Sequence, residues 1–344
     1  MFLKIHGTDL LVDNYKKLYF YPVKKIYRFY LIVFFIAFSF FLSYTQALGI
    51  SPDYLNYEIF LDLTRIEGLN TLNIGRFEPG FTLYSLFLSN FLTNNVLIYS
   101  YIVISCILIK NVAISFYCSS NKIFIIAFIF YFCRFFPLHE LTQIRVACAT
   151  GLLMLAARLI WEKKYLYGCI FSFLSLSFHF SSVAVIPIIF IEPYKRRSVI
   201  GLSFFVVCVS YFFCYSVTEI LSNYISILAT YQSLGFGDKP NPLSFVLLLD
   251  WLMIFFALYH WKILTSVMKR AILMQLIGMA VFYGTLDLPV IAHRLREMFC
   301  VFWVFFVANG LQIKKIKLPI FVYVLISLVS FSYIYIFSGK FFYE

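Results

Sequence analysis

The sequence predicts an all-α, polytopic integral membrane helical bundle of about 10–12 transmembrane or re-entrant helices. Three observations predict it. The chain has 344 residues, 62% of them hydrophobic and only 13% charged, whereas soluble domains are near half apolar and about a quarter charged. Its mean hydropathy is +0.88. Its apolar residues come in runs long enough to cross hydrocarbon, with basic residues crowded into the short connections between them, as the positive-inside rule requires.

Residues 1–344 read as one membrane domain. The net charge of +12 would suggest nucleic acid in a soluble protein. Here the cations sit in membrane-flanking loops, so no nucleic-acid partner is expected. The 8 Cys are scattered through apolar segments without metal-ligand spacing, which predicts neither disulfides nor a metal site. No cofactor is expected.

Basic clusters at Lys16–Lys17, Lys24–Arg28, Lys163–Lys164, Lys195–Arg197, Lys262–Arg270 and Lys314–Lys317 mark the cytoplasmic side. After a cytoplasmic segment (1–28), Phe29–Gly49 is long enough to span and goes out. The first periplasmic loop (50–80) follows, rich in acid, with a short helix expected after Pro52. Phe81–Leu92 is about 18 Å long as a helix, too short to cross, and reads as a re-entrant or interfacial helix. Val96–Cys118 returns, Ile123–Leu138 goes out and Ile144–Trp161 comes back.

The stretch 165–191 has basic clusters at both ends, which a single crossing would place on opposite sides. It therefore reads as a re-entrant hairpin of two short helices, broken at His179-Phe-Ser-Ser, with Ser181 and Ser182 as N-caps of the second arm. Broken backbone at membrane depth survives only beside protein or a wet cavity. Val199–Val217 goes out to a second periplasmic loop (218–242). Leu243–Trp261 returns, Ala271–Leu288 goes out, Met298–Ile313 comes back and Leu318–Phe337 leaves.

This topology gathers Asp53, Glu78, Glu140, Arg145, His179, Asp287, His293, Arg294 and Arg296 on the external face. Ionisable groups at membrane depth face a protein interior or a wet cavity. Arginine's planar fork suits phosphate and is always charged. Several arginines in one pocket suggest a phosphate or pyrophosphate ligand, and histidine and carboxylates beside them are candidate proton acceptors. Each has a plainer reading. Arg145 can form a structural ion pair with Glu140 or in the surroundings of Arg134, His179 can be a bonded helix-tip residue, Asp53 a helix cap, and Arg294 and Arg296 loop cations beside Glu297. Lys110 and Arg158 are expected to snorkel to the interface.

Asp53-Tyr-Leu-Asn-Tyr57, Glu78-Pro-Gly-Phe81, Gln143-Ile-Arg145 opening a helix that ends in Lys163-Lys164, and Phe178-His179-Phe-Ser-Ser182 before a Pro and a basic cluster occur in an order that resembles the EpsG-like branch of the Wzy polysaccharide (O-antigen) polymerases. The resemblance is strongest over residues 50–200, with Ser51-Pro-Asp53 where the family often has Gly-x-Asp. It implies a fold like that of lipid-linked GT-C-type glycosyltransferases, in the bacterial inner membrane, with an active site facing the periplasm. It implies transfer of a growing glycan from polyprenyl pyrophosphate to a lipid-linked repeat unit, without a metal. The resemblance implies that Arg145 and Arg294 or Arg296 contact pyrophosphate, and that His179, Glu78 or Asp53 accepts the proton, with Glu140, His293 and Tyr57 in support. Its implied partners are polyprenyl-pyrophosphate-linked oligosaccharide, membrane lipid and a chain-length regulator protein. A flippase for lipid-linked glycans and a membrane O-acyltransferase are the rival readings. A flippase would show paired broken segments in two related halves, and the sequence has one hairpin without internal symmetry.

Overall fold

The computed structural model describes residues 25–46, 52–74, 77–193, 195–217 and 240–333. Most of the expected N-terminal segment and second periplasmic loop lie outside the described residues. Fourteen helices of eight residues or more are described: α1 Lys25–Gln46, α2 Pro52–Glu67, α3 Pro79–Ser89, α4 Asn95–Ser115, α5 Asn121–Arg134, α6 Ile144–Trp161, α7 Tyr165–Phe178, α8 Ser182–Ile189, α9 Arg196–Phe212, α10 Phe245–Tyr259, α11 Ser266–Gly284, α12 Pro289–Cys300, α13 Trp303–Gly310 and α14 Lys317–Phe331. The chain is a polytopic membrane helical protein. Among the described residues five helices (α1, α4, α6, α9 and α11) have the length and apolar composition to cross a membrane, and α7, α10 and α14 are shorter apolar helices.

Local chemistry sets the helix starts. Asn94 accepts from the backbone N–H of Val96 at 2.8 Å, Ser120 from Ile123 and Thr265 from Met268, so α4, α5 and α11 each begin at a capping side chain. Pro79 and Pro289 open α3 and α12, where a missing N–H costs nothing.

Burial separates centre from periphery. The spans of α6 and α11 are 72% and 83% buried, whereas those of α1 and α9 are 11% buried and present their aromatic and aliphatic side chains outward. The small residues of α6, such as Ala147, Ala149, Gly151 and Ala157, let its neighbours approach closely, the usual way helices associate without water to drive them. Gly168 of α7 sits against Ile160, and Ser175 donates to the Ala149 carbonyl at 2.9 Å, so α7 runs antiparallel to α6.

The stretch 165–191 folds as two short helices. α7 ends at Phe178, His179 is extended, and α8 starts at Ser182. Trp161 donates from Nε1 to the Ile189 carbonyl at 3.0 Å, so α8 returns toward the end of α6 from which α7 departed. One detail differs from expectation. Neither serine caps α8 with its side chain. The Ser182 hydroxyl instead donates to that of Ser175 at 2.8 Å, fastening one arm to the other. A cross-arm bond inside a packed core satisfies the hydroxyl better than a cap exposed at the tip.

The basic clusters meet at one end. Arg28 donates to the carbonyls of Ser115 and Cys118, Gln312 donates to the Tyr117 carbonyl, and Arg270 pairs with Glu192 at 3.2 Å beside the Trp161 ring. Arg145 lies at the other end of α6, about 27 Å away at 1.5 Å per residue. Arg158 pairs with Glu162 near the basic end, as its expected interfacial position requires. Lys110 does not snorkel. It is fully buried, bonded to Glu140 and to the Tyr131 hydroxyl, because α5 and the turn after it bring both partners within reach of α4. The expected alternative pairing of Glu140 with Arg145 is thereby replaced.

Candidate active site

At the end of the bundle away from the basic clusters, Glu78 reaches two other segments. Its Oε2 accepts from Arg145 Nη1 at 2.6 Å, and its Oε1 meets His179 Nδ1 at 2.8 Å. The backbone N–H of Phe180 points at the same Oε1 at 3.4 Å. Three pieces of chain, 67 and 101 residues apart, thus close on one carboxylate. Each side chain is placed by its backbone. Arg145 is in the first turn of α6, Glu78 immediately precedes Pro79 in extended conformation, and His179 occupies the break between α7 and α8. Gly80 brings α3 against the end of α7 so closely that a Cβ there would lie 2.3 Å from Ser177 Oγ.

Electrostatics fix the roles. Burial alone would push the Glu78 carboxyl up, but the hydrogen bond from His179 and the charge of Arg145 outweigh it and hold its pKa at about 2. An ionised carboxylate can only accept, so His179 Nδ1 carries the proton. The other ring nitrogen, Nε2, is buried and has no hydrogen-bond partner among the described residues. The Arg145 guanidinium also stacks over the Phe77 ring, 4.3 Å from its centroid, with its side chain 19% exposed.

A second layer surrounds this clamp. Tyr57, buried on α2, lies against Phe77 and Phe81 and interacts with Arg145. Asp53, in the first turn of α2, faces Arg294 of α12 at 4.0 Å, and both Asp53 and Arg294 lie close enough to Tyr57 to act on its hydroxyl electrostatically. Asp53, Tyr57, Glu78, Arg145, His179 and Arg294 therefore share one neighbourhood.

Arg296 and Glu140 belong elsewhere. Arg296 donates to Asp250 at 2.8 Å, and the same Asp250 accepts from Arg134 and, at 2.9 Å, from the Tyr323 hydroxyl. Arg134 and Arg296 border a cavity of about 160 Å³ that Glu297 also lines. Glu140 is held by Lys110, although the Tyr99 hydroxyl bonded to its carbonyl touches Tyr57 through its ring. His293 is exposed against the Phe282 ring. Sequence reading missed Asp250, Arg134 and Tyr323. A signal existed for the first, since Asp250 is the one acid within the apolar run Leu243–Trp261, and a lone intramembrane acid is a site candidate.

The EpsG family model matches residues 19–344, nearly the whole chain. The chain belongs to the EpsG family. This family is linked to exopolysaccharide synthesis, and the match spans every segment of the site, from Asp53 to Arg296. No curated protein and no solved structure matches the chain.

Proposed function

We propose that this EpsG-family protein is an exopolysaccharide or O-antigen polymerase, a glycosyltransferase that moves a growing glycan from polyprenyl pyrophosphate onto a lipid-linked repeat unit. The observation that carries the reading is the Glu78 carboxylate, which engages Arg145 with one oxygen and His179 with the other and leaves His179 Nε2 without a partner among the described residues.

Both oxygens of Glu78 are occupied and its acidity is strong, so it orients rather than accepts protons. His179 Nε2 is the acceptor group. It takes the proton from an attacking sugar hydroxyl as the new C–O bond forms at the donor's anomeric carbon and the bond from that carbon to pyrophosphate oxygen breaks. The leaving pyrophosphate gains charge in that step, and preorganised cations stabilise such charge most effectively. Arg145 and Arg294 face that role, the latter 28% exposed beside Asp53. Arg296 is engaged by Asp250, which makes it the weaker candidate for direct contact. Tyr57 and Asp53 position Arg145 and Arg294; Glu140 and His293 support from further out.

In this reading the basic end lies in the cytoplasm, the site faces the periplasm of a bacterial inner membrane, and a chain-length regulator is a fitting partner. Complementation of a polymerase-deficient strain tests it. Wild type restores a ladder of long chains on a gel; Arg145→Ala and His179→Ala leave lipid bearing one repeat, and Arg158→Ala retains the ladder. Normal ladders from Arg145→Ala, with the protein present in membranes, would refute the role. Repeat units trapped on the cytoplasmic side would instead support a flippase.

A further inference from the structure

A cavity of about 770 Å³ opens at the basic end, a bundle length from Glu78. Lys195, Arg196, Arg197, Lys262 and Lys315 line it, brought together from three separate connections of the chain. Among the described residues none of its lining side chains is acidic. The nearby Glu192 is engaged by Arg270 at 3.2 Å. Positive-inside topology accounts for cations on this side, but not for five converging on one concave site.

The surroundings say what kind of anion fits. Arg196 spends one N–H on the Leu258 carbonyl at 3.3 Å, joining the start of α9 to the end of α10. The lining continues outward through Tyr259, which is 80% exposed, an amphipathic ring of the kind that sits at headgroup level, while the Trp261 ring lines the hollow from its buried side. From there exposed apolar rows run along both helices, Ile200 and Phe204 on α9, Phe255 and Leu252 on α10. A cationic hollow flanked by aromatic rings and followed by greasy helix faces matches a headgroup phosphate with two acyl chains behind it.

We propose that this hollow binds the headgroup of an anionic phospholipid. The site is independent of the proposed transferase chemistry, since it shares no residue with it.

Native mass spectrometry of the intact protein in detergent tests the proposal, titrating phosphatidylglycerol against phosphatidylcholine. Phosphatidylglycerol should bind in preference. The double variant Lys262→Gln/Lys315→Gln should weaken it about 25-fold, at about fivefold for each lysine near a phosphate. Lys122→Gln/Lys164→Gln, at the same end but outside the hollow, should leave it unchanged, and thermal unfolding checks that both variants fold. Equal binding of the two lipids, or equal loss from both double variants, would overturn the proposal. Displacement of the lipid by millimolar glycerol phosphate would overturn it too, by showing that a free phosphate suffices.

Discussion

Glu78→Gln removes one charge while keeping the side chain's shape, and its cost can be worked from the geometry. The folded protein holds the Glu78 pKa at about 2 against an ordinary 4.5. At about 1.4 kcal/mol for each pH unit, the ionised form contributes on the order of 3 kcal/mol beyond what a neutral carboxyl would. The amide mimics that neutral form and leaves the largely buried Arg145 without its counter-ion. Spread over a chain of this length, with the unfolding entropy usual for globular proteins, such a loss lowers the unfolding temperature by about 4 °C. Thermal unfolding in detergent at pH 7 measures it. The pH dependence has a definite sign. The folded-state pKa is depressed, so the contribution is complete above about pH 4.5 and lost as pH falls toward 2. Wild type and Glu78→Gln should therefore converge between pH 4.5 and 2 and stay apart above it. Arg145→Met in the Glu78→Gln background should cost less than in wild type, because the pair is removed together. Additive losses, or a gap between the proteins that is the same at pH 3 and pH 7, would refute the clamp.

Gly80→Ala places a Cβ 2.3 Å from Ser177 Oγ and 2.9 Å from the Ser177 carbonyl oxygen, so α3 must move off α7. It should cost about 1–3 kcal/mol by thermal unfolding and reduce chain polymerisation in cells. Gly201→Ala, with nothing within 4 Å among the described residues, should do neither. Lys110→Met strands a fully buried Glu140 and should destabilise by about 3–5 kcal/mol, while Lys110→Met/Glu140→Leu should recover most of it.

The legible part of this fold was what period, length and charge encode. α6 begins and ends where its apolar run does, and the break of Tyr165–Ile191 into two helices falls at His179, where the polar His179-Phe-Ser-Ser stretch interrupts the apolar run. Arg145, His179 and Glu78 were legible individually because charge beside hydrocarbon is conspicuous. Their joint geometry was not, because it depends on Gly80 letting α3 approach α7, a contact no local pattern records. Lys110 was misread for a similar reason: snorkelling is the better choice for an isolated helix, and only the fold supplies Glu140 as a buried partner. Arg296 next to Arg294 in sequence looked like one site. One helical residue in between turns them about 200° apart, so Arg294 meets Asp53 and Arg296 meets Asp250.

The most direct measurement is glycan transfer by the purified protein in vesicles, supplied with a polyprenyl-pyrophosphate-linked repeat unit. Wild type should release polyprenyl pyrophosphate in step with chain growth, and His179→Ala should lose both while remaining folded. Undiminished release and growth by His179→Ala would contradict the assignment of proton transfer to the histidine that Glu78 holds.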